Sequence, residues 1–347
     1  MTSEYIDGII DSEFQRLKVC RDPFLRVGYT GLCLFLFNRY ERTGLQKYYD
    51  QAFEALEHSC ASIRSRDRIN LWDGLSGIGQ TVLYLCKRQY VSGDIHSMLK
   101  SIDDAIYRIV IHELEYNDDF KMQGHEEALT DVTQYLAERL KTGELPDTER
   151  EILTLFANKI LNKLYLTHDA SFYQEPIAYN GSSYLLARFV QVLAALYPLE
   201  RVRGRVVHIW EEMRQTALAQ FPYLDSNKVT LLLAYQKLAK TMPGDPDVTR
   251  MIAKLRQSIS ITRIVENEMP TKCMWVCTGL AGVVEALFEA KCQLSPEETD
   301  LLLRKMDAPR YLQMNYKQLI EEEFVGLNGI LGFITAYTTL EDELRKI

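Results

Sequence analysis

Two kinds of segment alternate along this chain. One kind opens at a small residue and is nearly all apolar, as in TGLCLFLF from Thr30 and SSYLLARFVQVLAALY from Ser182. The other carries apolar residues at three and four spacing with a polar face between them, as in LQKYYDQAFEALEHS from Leu45 and REILTLFANKILNKLY from Arg150. The first pattern predicts a helix buried all round, the second a helix that covers it.

The small residues that open the apolar segments recur. Gly28 and Gly31 stand in VGYTGLCLFLF, Gly74 and Gly77 in WDGLSGIGQTVLYL, Gly279 and Gly282 in VCTGLAGVVEALF, and Gly326 and Gly329 in FVGLNGILGFITAY. Between them lie three weaker copies. MQGHEEALTDVTQYL keeps Gly124 with Glu127 in the second slot, and AYNGSSYLLARFVQVL keeps Gly181 with Tyr184 there. YLDSNKVTLLLAYQKL has neither glycine and is placed by spacing, with Asn227 and Thr230 in the slots. The first slots lie about fifty residues apart, enough for two helices and two turns, so each unit reads as one helical hairpin. Seven units predict an all-α fold, an α/α toroid of seven inner and seven outer helices, with the glycine turns gathered at one mouth. Connections such as TGELPDT from Thr142 and TMPGDPD from Thr241 suit hairpin turns rather than a linker, so residues 1–347 are expected to form a single domain.

Composition narrows the function. The 347 residues are 47% hydrophobic and 25% charged, with a net charge of −8. No basic block stands out, so a nucleic-acid partner is not expected. The opening MTSEYIDGII lacks a secretory pattern and the apolar run LCLFLF stops at Asn38, which predicts a cytoplasmic protein without membrane insertion. Seven cysteines, mostly inside helical patterns, suit reduced thiols.

The repeated turns, above all WDGLSGIG, VCTGLAGVVEALF and VGLNGILGF, resemble those of the lanthionine synthetase C-like family. The resemblance runs from about Val27 onward, is specific in the first, second, sixth and seventh units, and implies the α/α toroid. Members with complete motifs are zinc enzymes of ribosomal peptide maturation that add a cysteine thiol to a dehydrated serine or threonine. Zinc there holds a thiolate, and a histidine serves as acid and base. Carried over to this chain, Cys277 matches one zinc-binding cysteine and Thr278 stands where a histidine ligand belongs. Asp225 takes the place of the other cysteine, with Leu224 where tryptophan is usual. Asn180 replaces the acid/base histidine, and the third-unit aspartate position falls beside Asp119. Asparagine supplies no proton near neutral pH and threonine is a poor zinc ligand, so zinc is not expected as a cofactor.

Other readings of the same residues stay open. Cys273 and Cys277 could join His125 or Asp225 in a rebuilt metal site, although a free cysteine is more often a buried packing residue. Glu126 and Glu127 with Asp73 could form a hydrolytic carboxylate pair, although adjacent glutamates at a helix start also favour the helix dipole. Trp72 and Trp275 could line a groove or plug the barrel end. The expected function is a zinc-free, noncatalytic scaffold that binds a peptide substrate or a peptide-maturation enzyme. The alternative is a peptide-modifying enzyme, either a thioether-forming cyclase with a rebuilt site or a glycosidase-like catalyst. The candidate mouth residues are Trp72, Asp73, His125, Glu126, Asn180, Asp225, Trp275, Cys277 and Thr278.

Overall fold

A computed structural model describes residues 1–64, 67–116, 125–142, 145–167 and 170–345. Fourteen longer helices follow one another in it: α1 (Ser3–Cys20), α2 (Tyr29–Thr43), α3 (Gln46–Ala61), α4 (Leu75–Lys87), α5 (Ile95–Tyr116), α6 (His125–Lys141) and α7 (Asp147–Thr167), then α8 (Leu185–Leu196), α9 (Glu200–Ala219), α10 (Asp225–Thr241), α11 (Pro246–Ser258), α12 (Leu280–Glu289), α13 (Pro296–Asp307) and α14 (Gly332–Arg345). The described residues contain no strand. Each even-numbered helix packs on the next, from α2 on α4 to α12 on α14. The turn Leu327–Leu331 ahead of α14 packs back on α2 and closes the ring. The odd-numbered helices lie outside, each against an inner partner. This is the α/α toroid that the alternating pattern predicts.

Local chemistry sets where the helices start and stop. Ser295 and Glu298 cap each other's backbone amides at the start of α13, with Pro296 in the first turn. Asp245 caps α11 in the same region of the hairpin, and Gly44 ends α2 in the left-handed conformation. Apolar faces then drive docking, and the buried side chains form one continuous core.

The glycine turns share a construction. The amide just after the first glycine donates to the carbonyl that opens the loop: Tyr29 to Asp22 at 2.9 Å, Leu75 to Arg68 at 2.8 Å and Leu280 to Cys273 at 2.9 Å. A Cβ on the second glycine would lie 2.2 Å from the Leu25 carbonyl oxygen at Gly31, 1.9 Å from that of Leu71 at Gly77 and 1.7 Å from that of Val276 at Gly282. The loop thus folds over a bare helix turn, an approach that a side chain forbids.

Neighbouring units then lock through the same glycines. Leu25 of the first unit packs over Gly77 of the second, Val276 of the sixth over Gly332 of the seventh, and Leu327 of the seventh over Gly31 of the first. This moves the seventh unit by one step. Gly329 breaks the helical path just before α14 and Gly332 lies under the Leu327 carbonyl, so these two, rather than Gly326 and Gly329, fill the repeat's slots. Three glycines at equal spacing make both registers look alike in sequence. Gly326 serves a separate purpose: with φ of 66° it passes against the Val27 backbone, and its amide donates to Glu13 Oε1 at 2.8 Å.

The weaker units depart from the expected slots. In the fourth, α8 begins after Tyr184, and the Asn180 side chain accepts from the Ser182 and Ser183 amides to form the preceding turn. In the fifth, α10 already begins at Asp225, so Asn227 and Thr230 sit inside the helix. Two distant glutamates cap that helix in place of a glycine turn. Glu268 accepts from the Asp225 and Ser226 amides at 2.7 and 2.9 Å, and Glu175 from the Leu224 amide at 2.7 Å. Gly124 and Asp119 lie outside the described residues.

Candidate functional site

The loops ahead of the inner helices meet at one mouth, stitched by backbone bonds between units. The Arg26 amide donates to the Trp72 carbonyl at 2.9 Å, the Asn328 amide to the Arg26 carbonyl at 2.9 Å and the Val276 amide to the Asn328 carbonyl at 2.9 Å. The Gly181 amide donates to the Cys277 carbonyl at 3.1 Å, which ties the fourth unit to the sixth across the altered fifth. The slot two residues before the first glycine brings Arg26, Trp72, Tyr179 and Cys277 to this rim.

Arg26 is the hub of the cluster. Its Nε lies 2.9 Å from each Asp73 carboxylate oxygen, its Nη1 lies 3.8 Å from Cys277 Sγ, and its guanidinium sits 5.9 Å from the centre of the Trp72 ring. Trp72 Nε1 donates to Ser182 Oγ at 3.1 Å, and the Cys277 amide donates to Asn328 Oδ1 at 2.8 Å. One layer deeper, Arg188 pairs with Asp131, whose other oxygen accepts from the Leu71 amide at 2.8 Å. Glu127 stands near both arginines, and burial raises its carboxyl above the ordinary range while the arginines oppose the rise.

The mouth therefore brings together Trp72, Asp73 and Cys277, with Asn180 joined through the Ser182 turn. It does not bring in Asp225. That carboxylate is buried at the start of α10, paired with Lys228, and accepts from the Ser260 amide at 3.1 Å. It is turned toward the outer layer because the fifth unit has no glycine loop to carry it inward. Thr278 is exposed, and its carbonyl accepts from Cys273 Sγ at 2.9 Å. Trp275 packs edge-on to Phe324 with ring centres 5.6 Å apart. Glu126 lies in the first turn of α6, and the His125 side chain lies outside the described residues. Sequence reasoning missed Arg26, Asp131, Arg188, Ser182 and Asn328; comparing the same slot down the units would have exposed Arg26 beside Trp72 and Cys277.

The resemblance of the turns implies zinc, for which the nearby donors are Cys277, Asp73 and Cys273. Among the described residues no three of histidine, cysteine, aspartate and glutamate are grouped to hold a metal ion. Cys277 faces a guanidinium, Asp73 is engaged by the same guanidinium, and Cys273 is turned to Thr278. This donor set does not fit zinc. Burial also pushes the Cys277 thiol up to about 12, with Arg26 pulling the other way. A protonated thiol at neutral pH reacts slowly. Brief iodoacetamide treatment of the native protein at neutral pH is therefore expected to label the exposed Cys20 and leave Cys277 and the buried Cys33 unmodified, as peptide mass mapping would show. Labelling of Cys277 as fast as Cys20 would contradict this assignment.

No helix among the described residues is long and apolar enough to cross a membrane. A scan of family models finds no match to this chain, and a search of curated proteins finds none either. Among solved structures it is similar to nisin cyclase, with a TM-score of 0.59 and 14% identity over 97% of this chain and 94% of that one. A likeness at that identity speaks for the fold, and the toroid built by these seven hairpins is the lanthionine synthetase C-like fold.

Proposed function

We propose that this chain is a zinc-free scaffold of ribosomal peptide maturation, a cytoplasmic single-domain toroid that holds a peptide or a peptide-maturation enzyme at its mouth. The observation that carries this reading is the Arg26 guanidinium lying between Asp73 and Cys277, a fixed cation against the one cysteine that matches a family zinc ligand. A guanidinium there repels a metal dication, and burial holds the thiol protonated against the pull of that cation. The likeness to nisin cyclase supports a peptide as the occupant. Of the carboxylates that a hydrolase would use, Asp73 is engaged by Arg26, which favours binding over hydrolysis.

The test is elemental analysis of the purified protein and its Cys277→Ala variant, together with incubation with a linear peptide bearing one cysteine and one dehydroalanine. The expected result is no stoichiometric zinc in either sample, with the peptide bound and its thiol still open to alkylation. Zinc near one per chain that disappears in the variant, or loss of the alkylatable thiol without a mass change, would overturn the reading. The second outcome would mean that a carbon–sulfur bond had formed while the thiol proton moved to the α-carbon.

A further inference from the structure

Glu285 lies in the middle of the inner helix α12, within the run LAGVVEALFE. Its side chain is partly exposed, and it lines an open pocket of about 380 Å³ among the inner helices. Inner faces of α2, α4, α12 and α14 form the walls. Phe35, Tyr84 and Tyr90 supply aromatic surface, and Gln80 and Thr335 supply polar atoms. Leu25 and Leu327, one residue before Arg26 and Asn328 of the mouth, also line it.

Among the described residues no lysine, arginine or histidine lines this space, and Arg88 reaches its edge through Glu41 and Tyr84. Of its two acids, Glu41 lies 3.5 Å from Arg88, whereas Glu285 makes no hydrogen bond or ion pair among the described residues. A carboxyl packed among apolar side chains without a partner is costly in its charged form, and burial raises Glu285 to about 7, with Glu289 adding to the rise. Charge and lining call for the same complement, a cation on an apolar body.

We propose that this cavity binds an organic ammonium ion with an aromatic or aliphatic body, and that the Glu285 carboxylate is its counter-ion. The site is separate from the Arg26 cluster and does not depend on the scaffold reading. The other groups facing Glu285 leave it in command of the pH response. Glu289, on the same helix, is paired with Lys237 at 2.9 Å, and burial pushes both the Tyr179 hydroxyl and the Cys277 thiol upward. Binding of the cation requires loss of the Glu285 proton. Affinity should therefore fall about tenfold per pH unit below pH 7 and level off above it.

Calorimetric titration of the full chain with phenethylammonium, and with neutral hydrocinnamamide as the matched control, tests this. At pH 8 the ammonium ion is expected to bind at least about tenfold more tightly than the amide, and Glu285→Gln to abolish that preference. At pH 6, titrations in two buffers of different ionisation enthalpy should show release of close to one proton per ligand bound. Equal affinity for the two probes, a preference that survives Glu285→Gln, or binding without proton release would each overturn the proposal. The proton count is taken on the unmodified protein, so it stands even where the variant folds poorly.

Discussion

Gly282→Ala should cost at least about 3 kcal/mol of folding stability, seen as a lower urea midpoint with an unchanged slope. The added methyl would sit 1.7 Å from the Val276 carbonyl oxygen and 2.8 Å from its carbon, and both atoms are backbone. Neither can swing aside as a side-chain tip would. The loop would have to lift from α12 and take with it the bonds that join Val276 and Cys277 to Asn328. Gly204→Ala, at an exposed position in the second turn of α9, is the control. A Cβ there meets nothing within 4 Å, so the change should raise stability by about 0.5–1 kcal/mol through helix propensity alone. Equal responses of the two variants would show that the turn is not held by close approach.

Glu268→Ala should cost about 3 kcal/mol for a different reason. The Glu268 side chain is 4% exposed, and it takes the Asp225 and Ser226 amides and the Ser226 hydroxyl at once. Truncation strands three buried donors and takes from Arg263 the nearer of its two acidic neighbours, leaving Asp225 at 3.9 Å. Glu268→Gln keeps one acceptor oxygen and the volume, and should recover about half of the loss. Hydrogen exchange would locate the effect: the first amides of α10 should lose protection while those of α4 keep theirs. Uniform loss across both helices would mean that Glu268 supports the ring as a whole rather than this one terminus.

Much of the ring was legible because its signals are local. An apolar run after two glycines marks a buried helix whatever surrounds it, which is why α2, α4 and α12 begin where the pattern places them. The fifth unit was not legible. Its cap comes from Glu175 and Glu268, each more than forty residues from the amides it serves, and no window around Asp225 contains either. The same gap misplaced Asp225, since a register drawn from spacing assumed an inward loop that this unit lacks. The seventh unit failed for the opposite reason, an excess of glycine that left two registers open. At the mouth, Trp72, Asp73 and Cys277 could be named from their motifs, but Arg26 is an ordinary-looking charge until the fold sets it against them. Glu285 did leave a trace in the sequence, as an acid flanked by apolar residues within an inner helix, and that mark differs in kind from a motif.

The interlocking of loop residues with glycines has a consequence for the order of assembly. The arc from the sixth unit through the seventh and first to the second is joined by Val276 over Gly332, Leu327 over Gly31 and Leu25 over Gly77. Its middle joint unites residues about three hundred positions apart in the chain, so it cannot form on a ribosome until nearly all of the ring has been made. Until then, Gly31 and the apolar face of α2 lack their cover. Closure of this joint carries the loop entropy of nearly the whole ring, which places it among the slow, long-range steps of assembly.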